Sequence, residues 1–146
     1  MSEEQAIILF VDDKPSSHRY FRDQMDKSKA YQQYEIKLAF DLEEALDILD
    51  SPVNRTIAAI IIDLHLPGEI PAKLSMAYEQ QYKGKIQLNE GQILGMYLRD
   101  KNLNYFYMTA YLGKYKQELE SGRGSFVLDK ESNWGFFEQC LAICLS

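Results

Sequence analysis

Two uninterrupted apolar runs constrain this chain more than any other feature: Ala6-Ile-Ile-Leu-Phe-Val11 and Ile57-Ala-Ala-Ile-Ile-Ile62. Each has the length of one β-strand, and neither alternates with polar residues, so a half-exposed sheet cannot hold them. Strands apolar on both sides belong in a parallel sheet covered by helices on both faces. The rest of the sequence supplies those helices. Pro15 opens a helical stretch at 16–28 with Tyr20, Phe21 and Met25 at helix spacing. A strand at 34–40 follows, and Asp41 caps a helix whose Leu42, Ala45, Leu46 and Leu49 share one face. Helices at 91–101, 112–120 and 132–145 alternate with strands at 104–108 and 125–128. Five strands and five helices in alternation define an α/β fold. The expected form is a doubly wound five-stranded parallel sheet in the flavodoxin-like order 2-1-3-4-5, with helices on both faces. All 146 residues form one expected domain.

In such sheets ligands gather outside the carboxyl ends of the strands, at the switch point between the first and third. Asp12 and Asp13 directly follow the first strand, and Asp63 directly follows the third. Three carboxylates converging there repel one another unless a cation joins them, and hard oxygen ligands suit Mg²⁺. Thr109 follows the fourth strand and Lys130 the fifth. Carboxylate, divalent cation, hydroxyl and ammonium together meet the needs of phosphoryl transfer. Taken singly, each residue has a plainer reading: a helix cap, a turn, a strand end, a surface charge. Their joint placement favours the pocket.

The chain here resembles the receiver domains of two-component response regulators. The resemblance rests on Asp12-Asp13 after Ile-Ile-Leu-Phe-Val, on Ile-Ile-Asp63-Leu-His-Leu-Pro, on Tyr-Met-Thr109-Ala and on Phe-Val-Leu-Asp-Lys130. It implies that Asp63 accepts a phosphoryl group from a histidine kinase or histidine phosphotransfer protein. It implies that Asp13 and Asp63 bind Mg²⁺ directly, Asp12 largely through water, and the backbone carbonyl of His65 as a further ligand. Thr109 and Lys130 then hold the phosphoryl oxygens. A downstream protein target is implied as well, and a homodimer through the face of the fourth helix, fifth strand and fifth helix. Such a domain is a signalling receiver, and it is no enzyme beyond its own aspartyl phosphorylation and dephosphorylation.

Three departures stand out. Glu131 replaces the usual proline after Lys130, and Val127 replaces a switching aromatic, with Phe126 out of phase beside it. The third is an inserted segment at 68–88, where connections of about 2–6 residues are typical. It reads as a short helix over 72–82 with Leu74, Tyr78 and Tyr82 on one face, either a plain excursion or a lid or docking element beside Asp63. His65, two residues after Asp63, is expected close to the path of an attacking water, where it either tunes the lifetime of the phosphoryl group or is a spectator, and His18 is expected to be a solvated surface residue. Cys140 and Cys144 read as core packing, since a zinc site lacks further ligands.

Sixteen basic against twenty-two acidic residues give a net charge of −6, which disfavours nucleic acid and anionic membrane. No apolar run approaches the roughly 18 residues of a membrane span, and the start does not read as a signal peptide, so a cytoplasmic protein is expected. The chain reads either as a stand-alone receiver or as a domain cut from something longer. Two other classes compete: a receiver-like interaction module independent of phosphorylation, and a haloacid dehalogenase-type phosphatase. The phosphatase wants Asp-x-Asp after the first strand, which Asp12-Asp13 does not offer. A flavin site is weaker still, because no phosphate-binding loop follows that strand.

Overall fold

The computed structural model describes residues 5–51, 56–63, 66, 69–83, 90–109, 127–129 and 134–145. Its elements in chain order are β1 (Ile7–Val11), α1 (Pro15–Lys27), a short 3₁₀ turn (Lys29–Tyr31), β2 (Glu35–Ala39), α2 (Leu42–Leu49) and β3 (Ile57–Asp63). There follow α3 (Ala72–Lys83), α4 (Glu90–Asp100), β4 (Tyr105–Thr109), β5 (Val127–Asp129) and α5 (Trp134–Leu145). The expected helix at 112–120 lies outside the described residues. The class is the expected one, an α/β fold with a parallel sheet. Strands β2, β1, β3 and β4 make its body, and three-residue β5 pairs along β4, giving the order β2-β1-β3-β4-β5.

The two apolar runs explain the layering. Alternate residues of β1 and β3 enter opposite cores. Ile7, Leu9, Val11, Ile60 and Ile62 pack with α2 and α4, whereas Ile8, Phe10, Ala59 and Ile61 pack with α1 and α5. In α5, Phe137, Leu141 and Cys144 bury toward the sheet, Cys140 is half-buried and Ile143 is exposed. Burial raises both thiols, Cys144 to about 12, which suits the packing role expected for them.

Local chemistry sets the element ends. Asp41 Oδ1 accepts from the Glu44 N–H at 2.8 Å, the cap expected for α2. Asn102, at φ 59°, stops α4, and the Leu103 N–H reaches back to the Leu98 carbonyl at 2.9 Å. Among the described residues no helix is long and apolar enough to cross a membrane.

Gly95 marks a close approach of α4 to the sheet. A Cβ built there falls onto the Tyr107 hydroxyl, 2.8 Å from its Cζ and 3.2 Å from Tyr105 Cε2. Burial also raises the Tyr107 phenol, so it stays neutral. Alanine is the better helix former by about 1 kcal/mol. Overpacking against a buried ring outweighs that gain, so Gly95→Ala should destabilise by about 1–3 kcal/mol net. Urea unfolding of the variant beside wild type measures it.

The inner face of α1 departs from expectation in two ways. Tyr20 does not share the inward stripe with Phe21 and Met25: the residue is 54% exposed. His18 takes the inner position instead. His18, Phe21 and Met25 lie at i, i+3 and i+7, the stripe that faces the sheet. His18 is therefore buried, not solvated.

The segment expected as an insertion forms a helix over Ala72–Lys83, and α3 docks on α2 and α4 rather than over Asp63. Leu74 is fully buried and Tyr78 nearly so, both in the core shared with α2 and α4. The Tyr78 hydroxyl donates to Asp100 Oδ2 at 2.5 Å, and Lys73 Nζ lies 2.6 Å from Asp50 Oδ2. Asp50 and Asp100 end their helices beside the amino ends of the next strands. Asp63 ends β3 at the opposite pole, about 20 Å away along a seven-residue strand. Tyr97 completes the contact, its hydroxyl donating to Asp50 Oδ1 at 2.8 Å. Burial alone would raise the Asp50 carboxyl, but the hydrogen bonds from Lys73 and Tyr97 outweigh it and hold the group low. The excursion is thus tied down at the pole away from the acidic residues.

Candidate functional site

Register brings the acidic residues together. Val11 of β1 pairs with Ile62 of β3, so the next residues, Asp12 and Asp63, leave adjacent parallel strands side by side. One carboxylate oxygen from each of Asp12, Asp13 and Asp63 lies within 4.8 Å of the others. Asp12 and Asp63 are buried, at 1% and 4% exposure, while Asp13 is half-buried. Carboxylates so close and so little hydrated repel strongly. Octahedral Mg²⁺ with bonds of about 2.1 Å needs oxygens roughly 3–4 Å apart, so this donor set fits with a small inward movement. All three donors are hard oxygens, as that cation prefers.

Asp12 is held by its backbone and by its carboxylate. Its N–H donates to the Ala39 carbonyl of β2 at 3.0 Å, and its Oδ1 accepts from the Lys14 N–H at 2.9 Å. Its carbonyl oxygen lies 2.6 Å from His18 Nε2. A carbonyl only accepts, so that ring nitrogen carries the proton. The imidazole stacks on Phe40, centroids 4.1 Å apart, and meets Phe10 at 5.5 Å. Burial lowers the His18 pKa, against the opposing pull of the Asp12 hydrogen bond and the Asp12 and Glu44 charges. Sequence reasoning missed this residue as part of the site. Its helical phase with Phe21 and Met25 was the available signal.

Thr109 closes β4 and pairs with Asp129 of β5, one step beyond Met108, the partner of Asp63. Its backbone therefore reaches the same edge of the sheet. His65 and Lys130, with Phe126 and Glu131, lie outside the described residues.

The scaffold is an α/β domain with acidic residues at the carboxyl ends of its first and third strands, where their hard oxygens could hold a cation. No family model matches the chain, and no curated protein does. Solved structures do. The non-phosphorylated HemR receiver domain of Leptospira biflexa superimposes with a TM-score of 0.63 at 18% identity, covering 97% of this chain and 95% of that one. A response regulator receiver protein of Sinorhizobium medicae gives 0.63 at 16% identity, covering 97% and 95%. A two-component response regulator of Cytophaga hutchinsonii gives 0.63 at 12% identity, covering 98% of each chain. The fold is that of response-regulator receiver domains over nearly its whole length.

Proposed function

We propose that the chain is a phosphoacceptor receiver in a two-component or phosphorelay system, in which phosphorylation of Asp63 switches protein–protein contacts. The observation that carries this reading is the meeting of Asp12, Asp13 and Asp63, two of them buried, at one end of a receiver-type sheet. Asp13 and Asp63 would hold Mg²⁺ directly and Asp12 through water, with the His65 carbonyl as the further ligand that the receiver resemblance implies. When bound, the cation supplies positive charge that offsets the carboxylates and the phosphoryl oxygens.

An Asp63 carboxylate oxygen forms the new bond to phosphorus. The bond from phosphorus to the donor breaks at the same centre, to nitrogen for a phosphohistidine or to oxygen for an acyl phosphate. The donor leaves with the electron pair. The Thr109 hydroxyl donates to one phosphoryl oxygen and the Lys130 ammonium pairs with another. The added charge draws Thr109 and Lys130 inward and biases the face expected from residues 112–120, β5 and α5 between two arrangements. The natural donor is a histidine kinase or phosphotransfer protein, and the readers are a downstream protein or a second copy through that face. The net charge of −6 accords with protein partners in the cytoplasm rather than nucleic acid.

Intact-mass analysis with acetyl phosphate and Mg²⁺ tests the reading. One phosphoryl adduct is expected, abolished by chelator and mapped to Asp63 by borohydride reduction and peptide sequencing. No adduct from acetyl phosphate or from a phosphohistidine donor overturns it in favour of an interaction module. An adduct on Asp12 or Asp13 with turnover of phosphate esters points to a phosphatase.

A further inference from the structure

We propose that His18 is a positioning residue of the acidic pocket: its ring fixes the peptide plane between Asp12 and Asp13 and thereby aims both carboxylates at a divalent cation. The inference rests on the pocket reading above and extends it to a residue outside the three carboxylates.

The carbonyl that His18 grips belongs to the peptide joining the two aspartates, and the contact is short, 2.6 Å. The bond holds ψ of Asp12 and φ of Asp13 together, and with them the backbone from which both side chains leave. The N–H of Asp12 donates separately to the Ala39 carbonyl at 3.0 Å. With both ends of the Asp12 backbone tied, mutual repulsion of the carboxylates cannot be relieved by turning it away.

The ring is placed to bear that load. It is 3% exposed, stacked on Phe40 at 4.1 Å and tilted 57° against Phe10 at 5.5 Å. Its other nitrogen, Nδ1, is buried and makes no well-formed hydrogen bond among the described residues, although the Ala39 carbonyl lies near enough to the ring to raise its pKa. An apolar side chain would fill the slot without that unmet atom. A histidine kept there at that cost is explained by what Nε2 does for Asp12.

The test compares Mg²⁺ affinity in wild type, His18→Leu and His18→Gln, read from backbone amide shifts of Asp12, Asp13 and Asp63 in NMR titrations without any phosphodonor. Leucine keeps the apolar volume and loses the donor. Glutamine places an N–H near the position of Nε2. Groups that orient metal ligands typically carry a 10–100-fold share of affinity. His18→Leu should therefore bind Mg²⁺ at least about 10-fold more weakly, and His18→Gln should return to within about threefold of wild type.

A His18→Leu protein that binds like wild type overturns the inference. So does equal loss in both variants, because a role in packing alone gains nothing from the glutamine donor. Should His18→Leu fail to fold, wild type alone decides. Its His18 Nε2–H resonance shifts on Mg²⁺ addition if the ring is coupled to the pocket, and a resonance indifferent to Mg²⁺ overturns the coupling. A wild type that binds no Mg²⁺ removes the pocket reading and this inference together, whereas a binding wild type beside an indifferent His18→Leu removes this inference alone.

Discussion

Asp63→Asn is expected to eliminate the phosphoryl adduct entirely and, in chelator, to make the protein more stable than wild type. The first effect follows from chemistry: a neutral amide is no nucleophile toward phosphorus, so uptake falls below detection rather than by some factor. The second follows from the geometry of the cluster. At separations up to 4.8 Å, two unit charges repel by on the order of 3 kcal/mol at the effective dielectric of a protein site. Asp63 is one of three such charges and is only 4% exposed, so little water screens it. Neutralising it relieves repulsion toward both neighbours, offset by whatever its own partners contribute, for a net gain of about 1–3 kcal/mol.

Added Mg²⁺ reverses the comparison. Wild type gains stability by mass action as the ion binds the folded state, and the variant gains less because a ligand is gone. Thermal unfolding of both proteins with and without Mg²⁺ gives all four values. A variant that still carries the adduct places the nucleophile elsewhere. A variant destabilised in chelator shows instead that the Asp63 partners outweigh the repulsion.

How much of this was legible in the sequence depends on which physical signal each part used. The layering was legible because β1 and β3 carry apolar residues at every position before Asp63, a pattern that only a doubly covered sheet accommodates. Asp12, Asp13 and Asp63 were legible because a parallel sheet places the ends of adjacent strands together, and the Val11–Ile62 register does so here. The role of His18 was not legible from residue type. A histidine reads as polar and outward, and only its phase with Phe21 and Met25, together with Phe40 closing over it from the end of β2, puts it inside. The approach of Gly95 to Tyr107 joins residues from α4 and β4, and nothing in local sequence marks it. In the inserted segment, the helix was legible from the Leu74–Tyr78 spacing. Its direction was not, because the partners Asp50, Tyr97 and Asp100 lie on other elements.

Leu74 tests whether the inserted helix belongs to the core or merely rests on it. The polar contacts of α3 do not decide this. The Lys73–Asp50 pair is exposed on both sides, and such pairs contribute little even at 2.6 Å. Lys73→Ala should therefore leave stability nearly unchanged. The Tyr78 bond to Asp100 is part-buried, and the helix bends to make it, with Tyr78 at φ −127° and ψ 20°. Burial and that bond raise the Tyr78 phenol to about 12, so it remains a donor throughout the neutral range.

Most of the anchoring comes from Leu74 itself, fully buried in the cluster that contains Leu66, Ile93, Leu94 and Tyr97. Removing its isobutyl group costs the transfer free energy of the lost carbons plus a cavity that α2 and α4 cannot close. Leu74→Ala should destabilise by about 2–4 kcal/mol in urea unfolding, with the slope of the transition unchanged. A loss below about 0.5 kcal/mol would return the segment to the status of a surface excursion. The expected loss has a consequence for the acidic pole. Because the polar anchors of α3, Asp50 and Asp100, lie at the pole away from Asp63, weakening the helix should lower the unfolding free energy while leaving Mg²⁺ affinity and phosphoryl uptake of the folded fraction at wild-type values.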